Sequence, residues 1–149
     1  MPLLFVTNPD TDLDEVVSQC LNIGYERLAG YLSGGLPRWR DAGLRVGRID
    51  IVDADMLGRA TVVDVRQAAE FAARHVPGAL HLELGGLSDR AGSVPTDRPV
   101  VTMCAHGQRS MTGASLLARH WGSTDRIGVF TGSTNDWATR TGHLPAAGP

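Results

Sequence analysis

Hydrophobic positions along this chain cluster in short β-branched runs rather than in long alternating stretches. Leu3–Thr7, Thr61–Val65, Val100–Met103 and Ile127–Phe130 each carry apolar residues with little period-two alternation. That pattern is expected of strands covered on both faces, as in a parallel sheet. Between them the period changes to that of a helix. Asp12 is placed to cap a helix with Val16, Val17, Cys20 and Leu21 on one face, and Ser110 to cap another with Ala114, Leu117 and Trp121 facing inward. From about Arg48 onward the strands form a complete set: Ile49–Val52, Thr61–Val65, Ala79–Leu82, Val100–Met103 and Ile127–Phe130. Strands alternating with helices predict an α/β fold, a doubly wound parallel five-stranded sheet flanked by helices. Ligand sites in such a sheet lie at the carboxyl ends of the strands.

The same pattern occurs twice. Leu3 to Leu44 and Val100 to Leu144 both read strand, loop, helix, strand, glycine-containing turn, helix. Thr7 falls opposite Cys104 at an offset of 97, and Trp39 falls opposite Trp137 at an offset of 98. Internal self-similarity of this kind marks repeated structural units. The first copy breaks off near Gly43–Gly47, so the expected organisation is a partial, catalytically inactive repeat over residues 1–47 and a complete domain over 48–149. The Pro/Gly/Ala tail from Pro145 to Pro149 is expected to be loose.

Composition narrows the function. The chain has 149 residues and a formal net charge of −2, with 14 basic and 16 acidic residues. That balance argues against a nucleic-acid or anionic-membrane surface. No apolar run approaches the roughly 18 residues of a membrane span, and the start has neither a basic n-region nor an apolar h-region. Two cysteines cannot make a disulfide framework, so a reducing, cytoplasmic setting is expected. Every basic residue is arginine, which excludes Schiff-base chemistry on a lysine of this chain.

One segment concentrates chemistry. Cys104-Ala105-His106-Gly107-Gln108-Arg109-Ser110 follows a predicted strand and opens a helix. Gly107 permits a tight turn, and successive amide N–H groups in such a turn form an anion cradle. The positive end of the following helix adds to it. A thiol at that focus has a lowered pKa and is largely thiolate near neutral pH. Arg109 offers a guanidinium fork for the oxygens of an anionic substrate. A cysteine after a buried strand is more often an inert small hydrophobe; the Cys-x-x-Gly-x-Arg-Ser run at a strand-to-helix turn favours function.

These residues resemble the rhodanese family of sulfurtransferases. Asp64-Val65-Arg66 is similar to the family's Asp-x-Arg after the first core strand, and Glu70-Phe71 to its Glu-aromatic pair. Arg74-His75-Val76-Pro77-Gly78-Ala79 matches the Gly-His-Ile-Pro-Gly-Ala segment, with Arg74 in place of glycine. Cys104 to Ser110 matches the active-site loop, and Gly132 to Trp137 resembles the terminal Gly-Gly-x-x-x-Trp turn, with Ser133 in place of the second glycine. The resemblance covers about residues 48–145. It implies that Cys104 takes a sulfane sulfur from thiosulfate or a small persulfide, holds it as a persulfide, and passes it to a thiol or cyanide acceptor. Arg109 would orient the donor's oxygens, while Ala105, His106, Gly107, Gln108 and Ser110 would contribute mainly backbone N–H groups. Asp64 and Arg66 would brace the active loop from the adjacent strand end.

Residues 3–46, especially Gly30 to Trp39, resemble the first rhodanese repeat of bacterial proteins that fuse a metallo-β-lactamase-fold domain to two rhodanese domains. The chain is then expected to be the carboxyl-terminal piece of such a protein, or a descendant. A half domain leaves a sheet edge and an apolar face uncovered, which points to packing on the complete domain or to a homodimer.

Other residues carry less. Cys20 lies on the apolar face of its predicted helix as a core thiol, His75 and His81 are structural, and Trp39, Trp121 and Trp137 are core anchors. The five histidines lack metal-ligand spacing, and the glycine pairs lack a dinucleotide fingerprint, so neither metal nor cofactor is implied. Only four residues separate Cys104 from Arg109, one fewer than in the Cys-x5-Arg loop of cysteine phosphatases, which argues against a phosphate-sized bowl. The alternative to an enzyme is a non-catalytic rhodanese-like module that regulates or docks a partner.

Overall fold

The structure is a computed structural model that describes residues 2–148, and it divides into two compact units on either side of the Val46–Gly47 bond. In the first unit, β1 (Leu3–Phe5), α1 (Leu13–Asn22), β2 (Leu28–Tyr31) and α2 (Gly35–Asp41) follow one another. The two strands pair in parallel. Asp12 caps α1 as predicted, its carboxylate accepting from the amides of Asp14 and Glu15 at 3.0 and 3.2 Å. The apolar stripe of α1 is thinly covered: none of its residues is buried, and Cys20 is only half-buried, so it is not the core thiol the helical spacing predicts. Trp39 also departs from expectation. It is 37% exposed, with its indole N–H donating to the Arg45 carbonyl at 3.0 Å.

The second unit contains the expected sheet. Its strands β3 (Asp50–Ile51), β4 (Thr61–Asp64), β5 (Leu80–His81), β6 (Val100–Met103) and β7 (Ile127–Phe130) are all parallel, in the order β3-β7-β6-β4-β5. Its helices are α3 (Ala68–Ala73), α4 (Leu87–Arg90), α5 (Gln108–Trp121) and α6 (Thr134–Thr141). The central strands β4, β6 and β7 are buried at every position, which accounts for their unalternating sequences. Consecutive residues still point to opposite faces. Val63, Val100 and Val129 join Leu87, Ala114 and Leu117 on one side, while Val62, Val101 and Phe130 join Leu57, Met103 and Trp137 on the other. The edge strands β3 and β5 have two residues each, shorter than their apolar runs suggest. Trp121 is a half-buried margin of the first cluster, and Trp137 a buried member of the second.

The tail is not loose. Ala146 and His75 exchange backbone hydrogen bonds at 2.9 Å in each direction, and the Gly148 amide donates to the Ala72 carbonyl at 2.8 Å. Both contacts tie residues 146–148 to α3 and its exit.

Strand order locates the functional end. The chain leaves β4 for β5 on one side of the sheet, then returns to place β6 on the other side of β4. The connections therefore diverge at the carboxyl ends of β4 and β6, the crevice where open α/β sheets hold ligands. Asp64 and Met103 are register partners there, and the ladder is extended by the Val65 amide donating to the Met103 carbonyl at 3.0 Å.

Candidate active site

Cys104 is the residue that follows β6 at this crevice, and α5 begins four residues later. The turn between them is made by Gly107, whose φ of 94° lies in the region open to glycine. A side chain there would be strained for a second reason: a Cβ would lie 3.2 Å from Thr131 Cγ2. Gly107 is also the N-cap of α5. Ser110, predicted as the cap, lies inside the first turn, and its buried hydroxyl faces the thiol instead. Ser110 Oγ is 3.5 Å from Cys104 Sγ and donates to the Gly107 carbonyl at 2.9 Å. From below, Thr102 Oγ1 donates to the Ser110 carbonyl at 2.9 Å, fixing the helix start against β6.

The sulfur has two kinds of neighbour. Cys104 is 1% exposed, and it belongs to the apolar cluster with Val63, Val65 and Leu82. On its other side the Gly107 amide donates to Sγ at 3.2 Å. Burial alone pushes the thiol pKa up, because the thiolate loses water. Hydrogen bonding with the Ser110 side chain and from the amides of His106, Ser110 and Gly107 outweighs burial and holds the pKa below its ordinary value. Ser110 therefore contributes its side chain as well as its amide. Within the loop Ala105 is half-buried, while His106 and Gln108 are exposed.

Arg109 does not hold its fork open toward the bowl. Its Nη1 and Nη2 donate to Glu70 Oε2 and Oε1 at 2.6 and 2.9 Å, a bidentate pair. The Arg109 guanidinium holds the Glu70 carboxyl down at about 2, against partial burial, and Glu70 in turn raises the pKa of Arg109. Glu70 is itself positioned by a capping box at the start of α3, where it accepts from the Gln67 amide at 3.2 Å. In the sequence Glu70 stands out only as half of a Glu-aromatic pair. It lies 39 residues from Arg109, and its one local signal is an acidic residue three positions into a helix.

Asp64 and Arg66 form a buried ion pair with Nη2–Oδ2 at 2.6 Å. The same Arg66 Nη2 donates to the Arg74 carbonyl at 2.7 Å, and the Arg66 amide donates to Asp64 Oδ1 at 3.1 Å. These bonds brace the corner from β4 to α3, the platform carrying Glu70. Among the described residues neither side chain hydrogen bonds to residues 104–110. His75 and His81 sandwich Phe71, with ring centroids 3.9 and 4.5 Å from it, and take the structural place expected of them.

The fold and this loop together define an open parallel α/β protein with an amide-held thiol at its switch point. The model of the rhodanese-like domain matches residues 51–140, and the chain belongs to that family. It is similar to the thiosulfate sulfurtransferase GlpE of Pseudomonas savastanoi pv. phaseolicola, 36% identical over 58 residues that make up 39% of this chain and 55% of that protein. Similarity to the protein of the same name from Pseudomonas putida reaches 40% over 58 residues, 53% of its length. The chain thus spans about half the length of these curated relatives. Among solved structures, a rhodanese-related protein from Thermoplasma volcanium superposes with a TM-score of 0.54 at 21% identity, over 62% of this chain and 93% of that one. The thiosulfate sulfurtransferase of Pseudomonas aeruginosa superposes over 100% of this chain and 33% of its own, with a TM-score of 0.55 and 21% identity. Both share the fold.

Proposed function

We propose that this protein is a sulfurtransferase that carries sulfane sulfur as a persulfide on Cys104. The observation that carries this reading is the Gly107 amide donating to a thiol of lowered pKa at the β4/β6 switch point. A thiolate so held attacks the sulfane sulfur of thiosulfate or of a small persulfide. A new sulfur–sulfur bond forms on Cys104, and sulfite or a thiolate leaves with the electron pair of the broken one. A cyanide or thiol acceptor then attacks the terminal sulfur and restores the Cys104 thiolate. Both steps need hydrogen-bond donors around an anionic sulfur, and fixed amides supply them without reorganisation. With four residues between Cys104 and Arg109, the bowl suits one extra sulfur rather than a phosphate.

Intact mass after incubation with thiosulfate and with glutathione persulfide tests the reading. Wild type should gain one sulfur and release it to cyanide as thiocyanate, and Cys104→Ser should do neither. A folded Cys104→Ser with unchanged turnover would refute it.

Residues 2–46 fit a partial repeat that has lost this chemistry. Its strand–helix–strand–helix order and parallel pairing parallel those of β6–α5–β7–α6, with Thr7 in the place of Cys104. In the same reading the chain derives from a longer cytoplasmic protein with an upstream metallo-β-lactamase-fold domain. The native mass in the source cell tests that origin. A second functional reading, a docking module, is favoured by the exposed Leu4, Ile23, Tyr25 and Tyr31 of the first unit. A homodimer would cover them. That reading predicts negligible turnover by the isolated chain and a dimeric mass in light scattering.

A further inference from the structure

Three guanidinium groups, those of Arg109, Arg66 and Arg74, are already engaged. Arg109 has both Nη groups on Glu70. Arg66 is committed to Asp64 and to the Arg74 carbonyl. Arg74 donates through Nη1 to Asn135 Oδ1. Arg109 and Arg66 are thus each paired with a carboxylate, Glu70 and Asp64 respectively. The Asp136 carboxylate accepts from the Ser133 amide and hydroxyl, each at 2.7 Å, and Arg140 on the same helix offsets its charge. Backbone amides supply the donors at the thiol itself, and the Gly107 amide is already directed at Cys104 Sγ.

Donors meet this arrangement differently. Thiosulfate brings two negative charges on or near its oxygens. It must approach a thiolate, and the Arg109 fork that could receive its oxygens is held by the Glu70 carboxylate. An organic persulfide presents its terminal sulfur on an uncharged carbon chain and needs no counter-cation. Because Cys104 is 1% exposed, the terminal sulfur is the only part of either donor that has to reach it.

From this we infer that Glu70 sets donor choice: by occupying the Arg109 fork it disfavours oxyanionic donors and matches the Cys104 site to organic persulfides of low charge. The inference rests on the persulfide reading above. Glu70 is then a positioning residue acting through Arg109. Its 35% side-chain exposure leaves the pair open to displacement, so thiosulfate is slowed rather than excluded. In the favoured step the thiolate attacks the terminal sulfur of R–S–S–H. The Cys104 Sγ–S bond forms, the R–S bond to that sulfur breaks, R–S⁻ leaves with the electron pair, and the proton stays on the transferred sulfur.

The test is the rate at which Cys104 gains one sulfur, read by intact mass, from thiosulfate and from 2-hydroxyethyl persulfide. It is run on wild type and Glu70→Gln over a series of salt concentrations. Wild type should load faster from the organic donor, and its thiosulfate rate should rise with salt as like-charge repulsion is screened. Glu70→Gln should raise the ratio of thiosulfate to organic-donor rate constants about tenfold, a difference of ~1.4 kcal/mol, and flatten the salt dependence. An unchanged or falling ratio would overturn the inference, with Glu70 then serving only to hold Arg109 in a useful pose. Should Glu70→Gln fail to fold, a wild-type thiosulfate rate that falls with salt, or that matches the organic donor's, overturns it equally. A wild type that takes sulfur from neither donor would instead sink the sulfurtransferase reading.

Discussion

The Gly107 amide lies 3.2 Å from Cys104 Sγ and donates to it across the turn that starts α5. One peptide group thereby links the glycine conformation, the helix start and the acidity of the thiol. The Ser110 hydroxyl, 3.5 Å from the same sulfur, helps hold its pKa down against burial.

Alkylation of Cys104 by iodoacetamide is expected to follow the thiolate, with a midpoint below that of a free cysteine, about 8.5. Ser110→Ala removes a hydrogen bond that favours the anion, so its profile should move to higher pH. Mass-resolved labelling across pH measures both. A wild-type midpoint at or above the free value would contradict the geometry.

The Glu70–Arg109 pair makes stability depend on acid. Glu70 titrates at about 2 in the fold against an ordinary 4.5, so its contribution is complete above pH 4.5 and disappears as pH falls through about 2. Because both partners are about one-third exposed, solvent screening reduces the contribution to about 1 kcal/mol. Urea unfolding of wild type and Glu70→Gln should differ by that amount at pH 7 and converge toward pH 2.

Asp64→Ala should be far more costly. It strands Arg66, 7% exposed, beside an emptied buried site, and removal of one member of such a pair typically costs about 3–5 kcal/mol. Chemical denaturation measures the loss.

Gly107→Ala combines a φ of 94° with a Cβ 3.2 Å from Thr131 Cγ2. We expect a destabilisation of about 1–3 kcal/mol and a rise in the midpoint of Cys104 alkylation, as the amide swings off the sulfur. An unshifted midpoint would show that the Gly107 amide is dispensable.

Much of this arrangement is legible in the chain itself, and the reasons are local. Val100–Met103 and Ile127–Phe130 announce buried strands because both faces of the sheet are covered, and Cys104 to Ser110 announces a loop because Gly107 must turn between strand and helix. Long-range facts are harder to read. The claim of Glu70 on Arg109 spans 39 residues and depends on how α3 lies beside α5, which no spacing encodes. Trp39 matches Trp137 in position but not in burial, and the repeat spacing alone does not distinguish them. The Pro/Gly/Ala tail has no periodic signal, and only the backbone at His75 and Ala72 makes it a pairing segment.

Peptide dipoles, unlike ionisable side chains, neither gain nor lose protons, and the turn at Gly107 holds them aimed at the sulfur. Substitutions at the outward-facing positions 106 and 108 can therefore accumulate without weakening the thiol, provided the glycine and the hydroxyl behind it persist. What evolution must guard in this loop is a conformation more than a set of functional groups.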